Sequence, residues 1–196
     1  MKKLLLMLFL AASITSQAQT YSIGAKGGVN ISNFTGGGDI FADVKKKAKI
    51  GYYIGGFIDF WVGSNLAIQP EVLLSTQGAR IEAEGETRNL SITYINVPIV
   101  GKFKSDGGFY FEAGPQVGFK ISESTPDESL DKFAKGLDLS VVAGLGFQSS
   151  AGIGFGARYI VGLSKVGSAD LDNPDFKNSV IQVGLSFTIG NPSKKK

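Results

Sequence analysis

Eight charged residues hold the chemistry this chain has to offer: Lys26, Lys102, Lys120 and Arg158 against Asp59, Glu71, Glu112 and Asp138. Each lies in a stretch whose side chains alternate between apolar and polar, and each falls on the polar side. Four cations and four anions balance. Charges withdrawn from water are tolerable only when paired and hydrogen-bonded, so such a set reads as a salt-bridge plug filling a narrow interior. The functional counterpart is a gated polar path or a proton-coupled site. Lys102 falls opposite Glu112 across a short turn, and Lys120 comes near Asp138 across a long connection. Asp59 and Glu71 face each other across another turn, so a cation, Lys102 or Lys26, belongs between them. The rest of the inventory is restrictive. The chain has no cysteine and no histidine, so thiol, imidazole and disulfide chemistry are absent. A general base would have to be a carboxylate of raised pKa, and no exposed cluster suggests one. The run Gly36-Gly37-Gly38 has no strand–turn–helix context for a phosphate cradle. No catalytic residue, cofactor or metal site is expected.

The elements that carry these charges are strands. Over residues 109–121 the odd positions are Phe109, Phe111, Ala113, Pro115, Val117, Phe119 and Ile121, and the even ones Tyr110, Glu112, Gly114, Gln116, Gly118 and Lys120. A two-residue period places these sets on opposite faces of a β-strand. Seven further segments alternate in the same way, at 21–31, 50–62, 66–78, 91–103, 137–148, 152–164 and 179–189. The second alternates least, because Tyr53, Phe57 and Trp61 share its polar side. These segments exceed the roughly 5–6 residues usual in soluble sheets and match the roughly 9–11 that cross a bilayer when tilted. Eight is an even number, as hairpin-built antiparallel barrels require. The expected fold is all-β: an eight-stranded antiparallel transmembrane β-barrel with up-and-down meander topology.

Residues 1–18 read as a cleaved signal peptide: Lys2 and Lys3, an apolar run too short to span a membrane, then Ser16-Gln17-Ala18 before the cut. The barrel domain then occupies residues 19–190, and residues 191–196 form a basic tail. Connections 32–49, 79–90, 122–136 and 165–178 are long and polar, whereas 63–65, 104–108 and 149–151 are short. Outer-membrane barrels have short periplasmic turns and longer extracellular loops, which places both termini in the periplasm. With that direction, Tyr21, Phe60, Phe103, Phe109, Phe111, Phe147, Phe155 and Phe187 gather at the periplasmic strand ends, facing out. Aromatic rings favour that interface. The alternative is a soluble lipocalin-like barrel with its apolar face inward. Its exterior would carry Lys, Glu and Thr, yet the polar face here is rich in glycine, among them Gly24, Gly28, Gly114, Gly146, Gly156 and Gly184. Small residues suit a crowded barrel interior.

The last strand carries Gln182-x-Gly184-x-x-Phe187-x-Ile189, which resembles the C-terminal signal read by the outer-membrane assembly machinery. The segment 24–32 resembles the opening strand of the PorT-like outer-membrane β-barrel family. So do Gln69-Pro70-Glu71 with Gln77-Gly78, then Tyr94-Ile95-Asn96-Val97-Pro98 with Lys102, Gly114-Pro115, Gly144-Leu145-Gly146, and Arg158-Tyr159 with Gly162-Leu163. The resemblance spans the chain after residue 18; Asn96 stands where the family often has a carboxylate. It implies an exported eight-stranded outer-membrane barrel, whose founding member is linked to protein secretion.

The formal charge of +3 does not make this a nucleic-acid protein. Discounting Lys2, Lys3, Lys194, Lys195 and Lys196 leaves a body of net charge −2, with no basic patch on the domain. The expected partners are outer-membrane lipid, the assembly machinery and a surface ligand or secretion component. Lys45, Lys46, Lys47 and Lys49 make a basic cluster in the first connection. The other three long connections are acidic, with Glu82, Glu84 and Glu86, then Asp127, Glu128 and Asp131, then Asp170, Asp172 and Asp175. The expected role is structural or surface-interacting, with a narrow porin-like channel as the alternative.

Overall fold

The computed structural model describes residues 21–36, 45–83, 86–124, 135–164 and 176–189. These form β1 (Tyr21–Gly36), β2 (Lys45–Trp61), β3 (Leu66–Ala83), β4 (Glu86–Lys104), β5 (Phe109–Ser124), β6 (Leu137–Gln148), β7 (Ile153–Gly162) and β8 (Phe176–Ile189). Every strand pairs antiparallel with its neighbour in sequence, and β8 pairs with β1, closing the barrel. Closure leaves no unpaired sheet edge in the wall, which is what lets strands sit in lipid. The signal peptide, the basic tail, and the acidic residues Glu84, Asp127, Glu128, Asp131, Asp170, Asp172 and Asp175 lie outside the described residues.

One end of the barrel carries three tight turns, around residues 62–65, 105–108 and 149–152, together with the start of β1 and the end of β8. At the third turn, Gly152 has φ 87° and donates its N–H to the Ser149 carbonyl at 3.1 Å. A side chain there would be strained by its backbone and blocked by the Thr188 carbonyl. We call this the turn end and the opposite one the loop end.

The strands run further toward the loop end than the alternation indicates. The connection expected over 79–90 is largely ladder: β3 continues to Ala83 and β4 begins at Glu86, paired in register from Ala79↔Leu90 to Ala83↔Glu86. Likewise β2 begins at Lys45, with Lys45 opposite Glu82. The backbone ladder persists, but the alternation that betrays a strand is gone. The wall is therefore uneven, tall at β3–β4 and low at β6–β7, where β7 stops at Gly162.

Burial sorts the side chains by parity. Facing out and exposed are Ile23, Val29, Ile54, Val72, Ile99, Val141, Leu145 and Val183; facing in are Gln69, Glu71, Ser75, Glu112, Gln116, Asp138 and Gln182, all buried. An apolar exterior around a polar interior is the reverse of a soluble lipocalin-like barrel. Tyr53, Phe57 and Trp61 also face in, which is why β2 alternates weakly in sequence. Among the described residues no helix is long and apolar enough to cross a membrane; here the strands make the crossing.

Candidate lumenal site

The lumen is filled from wall to wall. At the turn end, Trp61 Nε1 donates to Ser22 Oγ at 3.3 Å, and Ser22 Oγ donates to Asp59 Oδ2 at 3.3 Å. Lys102 on β4 reaches Asp59 Oδ2 at 3.7 Å and donates to Gln69 Oε1 at 3.1 Å. Gln69 in turn donates to Glu71 Oε1 at 2.5 Å. Lys102 also lies 4.8 Å from the Tyr110 ring centre, and Lys26 lies 4.8 Å from that of Phe57. Aromatic faces help to hold cations that have left water.

At mid-barrel, Arg158 from β7 crosses to two carboxylates at once. Its Nη1 and Nη2 donate to Glu71 at 2.8 and 2.5 Å, while Nε and Nη2 donate to the two oxygens of Glu112, the latter at 3.0 Å. Lys26 Nζ completes the group at 2.9 Å from Glu71 Oε1. Guanidinium is planar and presents its donors as a fork, so one arginine can clamp two carboxylates where a lysine could not. Beside this cluster lies a cavity of 20 Å³, room for one water, bounded by Lys26, Tyr53, Tyr110, Glu112, Arg158 and Ser186.

Beyond the clamp toward the loop end the lumen turns apolar. Val100, Val142, Ile160 and Val180 form one buried cluster. The last three are successive partners across β6, β7 and β8. Gly114 stands between Val100 and Val142 in the wall, and its missing side chain lets the two flanking valines close the layer. Next to it Asn30 ties three strands, donating to Ser75 Oγ at 2.9 Å, the Tyr52 carbonyl at 3.0 Å and the Thr76 carbonyl at 2.9 Å, and accepting from Gln182 at 3.0 Å.

The structure thus brings six of the eight sequence-derived charges, Lys26, Asp59, Glu71, Lys102, Glu112 and Arg158, into one network. Two stay outside it. Lys120 and Asp138 were expected to meet, but Lys120 pairs with Glu123 at 3.0 Å, and Asp138 accepts from Ser140, Ser164 and Asn178. The reason is register: Asp138 stands opposite Gly118, two positions short of Lys120. Lys102 and Glu112 are register partners, yet their side chains part, because Glu112 is taken by the longer Arg158. At the loop-end rim, Lys49 donates to Ser91 Oγ at 2.7 Å, and partial burial lowers the pKa of its ammonium from the ordinary lysine value.

A row of inward glycines does what no charge count reveals. Gly146, Gly156, Gly184 and Gly28 are consecutive partners across β6, β7, β8 and β1. The Tyr110 hydroxyl lies against Gly146 and Gly156, and the Tyr53 hydroxyl against Gly184. The two tyrosines fill the lumen by resting on bare backbone. Replacing Gly156 by alanine is expected to destabilise the barrel by about 1–3 kcal/mol through overpacking against Tyr110. Tyr110→Phe should relieve that defect, since only the hydroxyl collides there, but not the equivalent Gly146→Ala, which also meets the Tyr110 ring at 2.5 Å. Urea titration of the four variants in lipid checks this. The aromatics Tyr53, Phe57 and Tyr110 and the hubs Asn30 and Gln69 escaped a reading confined to charges; glycines clustered on the same face as bulky aromatics were the available signal.

The outward aromatics lie where the strands meet the turn end. Tyr21 is opposite Phe60, Phe103 opposite Phe111, and Ile153 opposite Phe187. Phe109, Phe147 and Phe155 run side by side, with ring centres 5.3 and 5.8 Å apart. In β8, Gln182 and Gly184 face inward, engaged with Asn30 and Tyr53, while Phe187 and Ile189 face outward.

Residues 17–167 match the family model described as outer membrane protein beta-barrel domain. No curated protein matches the chain. Among solved structures, Neisserial surface protein A is 10% identical with a TM-score of 0.54, the match covering 88% of this chain and 99% of that one. Ail, the attachment invasion locus protein of Yersinia pestis, in complex with the heparin analogue sucrose octasulfate, is 16% identical with a TM-score of 0.49, over 86% and 99% of the two chains. The outer membrane protein OprG from Pseudomonas aeruginosa is 10% identical with a TM-score of 0.48, over 87% and 97%.

Proposed function

This chain belongs to the outer membrane protein beta-barrel domain family, and from that premise we propose that it is a non-conducting, non-enzymatic barrel with a structural or surface-interacting role. The lumen carries this reading: a three-cation, three-anion network of Lys26, Lys102, Arg158, Asp59, Glu71 and Glu112 backed by the apolar layer of Val100, Val142, Ile160 and Val180. A solute would have to break buried ion pairs and then pass a dry layer, and no hydrated path replaces what it loses. The short turns face the periplasm with both termini, and the tall β3–β4 hairpin faces outward. The Gln182–Ile189 pattern is offered to the assembly machinery, and the loop end, with Lys47 and Lys49, to a surface ligand.

Reconstitution in planar bilayers tests the closed lumen. The wild type is expected to show no stable unitary current, and Lys102→Ala with Glu112→Ala to produce small, noisy openings. Large, steady wild-type currents would establish the narrow porin-like channel instead. The PorT-like motif order supports a second reading, contact with a secretion assembly. Deleting the gene and finding secretion intact would remove it.

A further inference from the structure

Asp138 differs from every other lumenal anion. It is 3% exposed, on the inward face of β6 beyond the apolar layer, and its oxygens accept hydrogen bonds from Ser140 at 3.0 Å, Ser164 at 3.0 Å and Asn178 at 3.2 Å. All three donors are neutral. Among the described residues no lysine or arginine forms an ion pair with it. A carboxylate withdrawn from water with neutral partners alone keeps a full negative charge uncompensated, the costly case for a buried ion.

The groups beside Asp138 include buried amide atoms without partners. Asn96, Gly118 and Asp138 form one row across β4, β5 and β6. Gly118 brings no side chain to that row, and the Asn96 amide and the Tyr94 ring close over it. Asn96 Oδ1 lies 2.6 Å from where a Gly118 Cβ would stand, and Asp138 Cβ lies 3.5 Å from the same point, so Asn96 leans over the glycine toward the carboxylate. Gln116 stands opposite Ser140, the residue that donates to Asp138. Gln116 is 2% exposed, yet neither end of its amide has a partner, and Asn96 Nδ2, 1% exposed, has none either. Buried amides are seldom left unbonded, so each such group asks for an explanation.

We propose that this group of side chains binds a small monovalent cation, with the Asp138 carboxylate as its charge partner and the amide oxygens of Gln116 and Asn96 as neutral ligands. One carboxylate balances one positive charge, and among the described residues no cluster of three or more acidic groups marks a metal site. The ligand atoms are all oxygens, which suits a hard cation. Gln116, held by nothing else, can turn its oxygen inward. The apolar cluster of Val142, Ile160 and Val180 lies between this site and the charge network. An alkali ion and a primary ammonium share this chemistry, and the test separates them.

The folded full-length barrel in detergent, in a choline background at neutral pH, is titrated with sodium, potassium and methylammonium. Binding is followed by calorimetry and, for sodium, by 23Na line broadening. We expect saturable binding of at least one of the three, with methylammonium alone identifying an amine ligand and the alkali ions alone an ion site. Asp138→Asn should weaken it by about tenfold or more. Gln116→Leu and Gly118→Ala, which leave the charge in place, should each weaken it severalfold with circular dichroism and heat-shifted electrophoretic mobility unchanged. Those two variants keep the test alive if Asp138→Asn fails to fold. Absence of saturable binding in the wild type, or binding indifferent to all three substitutions, overturns the proposal.

Discussion

Replacing Arg158 by methionine will destabilise the barrel by about 3–5 kcal/mol, the cost of leaving buried partners uncompensated. Arg158 supplies every hydrogen bond recorded for the side chain of Glu112 and two of those to Glu71. Without it Glu112 keeps no ion pair, while Glu71 keeps Lys26 at 2.9 Å and Gln69 at 2.5 Å. Lys26→Met should therefore cost less, because Glu71 retains the guanidinium. Adding Glu112→Gln to Arg158→Met should return much of the loss, since the penalty is unpaired charge and not missing volume, whereas adding Glu71→Gln as well should return less, because Lys26 then loses its carboxylate. Urea titration in lipid, read from Trp61, the only tryptophan, measures all four. Trp61 suits the purpose, being buried at the turn end against Ser22. A loss in the Arg158→Met/Glu112→Gln variant equal to that of Arg158→Met alone would show that Arg158 acts through packing.

Val183→Arg is the second large effect, expected at about 2–4 kcal/mol for a charge placed on the lipid face near the bilayer midplane. Val183 faces outward in the middle of β8, opposite Val29 on one side and Ala157 on the other. Tyr21→Arg, also outward but at the turn end, should cost only about 0–1 kcal/mol, as charges near the interface do. The gradient with depth is the informative quantity. Exposed substitutions in a water-soluble barrel would stay within about ±0.5 kcal/mol at both sites. Equal, small effects in a lipid-reconstituted sample would contradict a membrane-facing exterior.

Much of the barrel was legible because a strand's two faces are defined by parity. From Phe109 to Ile121, reading alternate residues told which side chains point out, and the same rule worked for β3 through β8. It faltered at β2, where Tyr53, Phe57 and Trp61 point inward and look apolar on both faces. It also ended too early at the loop end, where Ala79–Ala83 and Glu86–Leu90 remain paired although nothing in their hydropathy says so. The charges were visible as a set but not as pairs. Lys102 and Glu112 stand opposite each other in register and still choose different partners, Asp59 and Arg158.

By itself the sequence determined the strands, their number, the face of each residue and the sign balance of the interior, all local consequences of a two-residue backbone period. The tertiary structure alone decided who meets whom across the lumen. Arg158 and Glu71 are 87 residues apart, on strands that never pair, and they touch because closing the barrel brings β7 and β3 within the reach of an extended guanidinium. The same closure laid the Tyr53 hydroxyl on Gly184 of β8, whereas Tyr110 rests on Gly146 and Gly156 of the next two strands, β6 and β7. It also left Asp138 bonded to Ser140, Ser164 and Asn178 in place of Lys120. Parity acts between neighbours in the chain, whereas contacts across a lumen depend on strand tilt, register and side-chain length together.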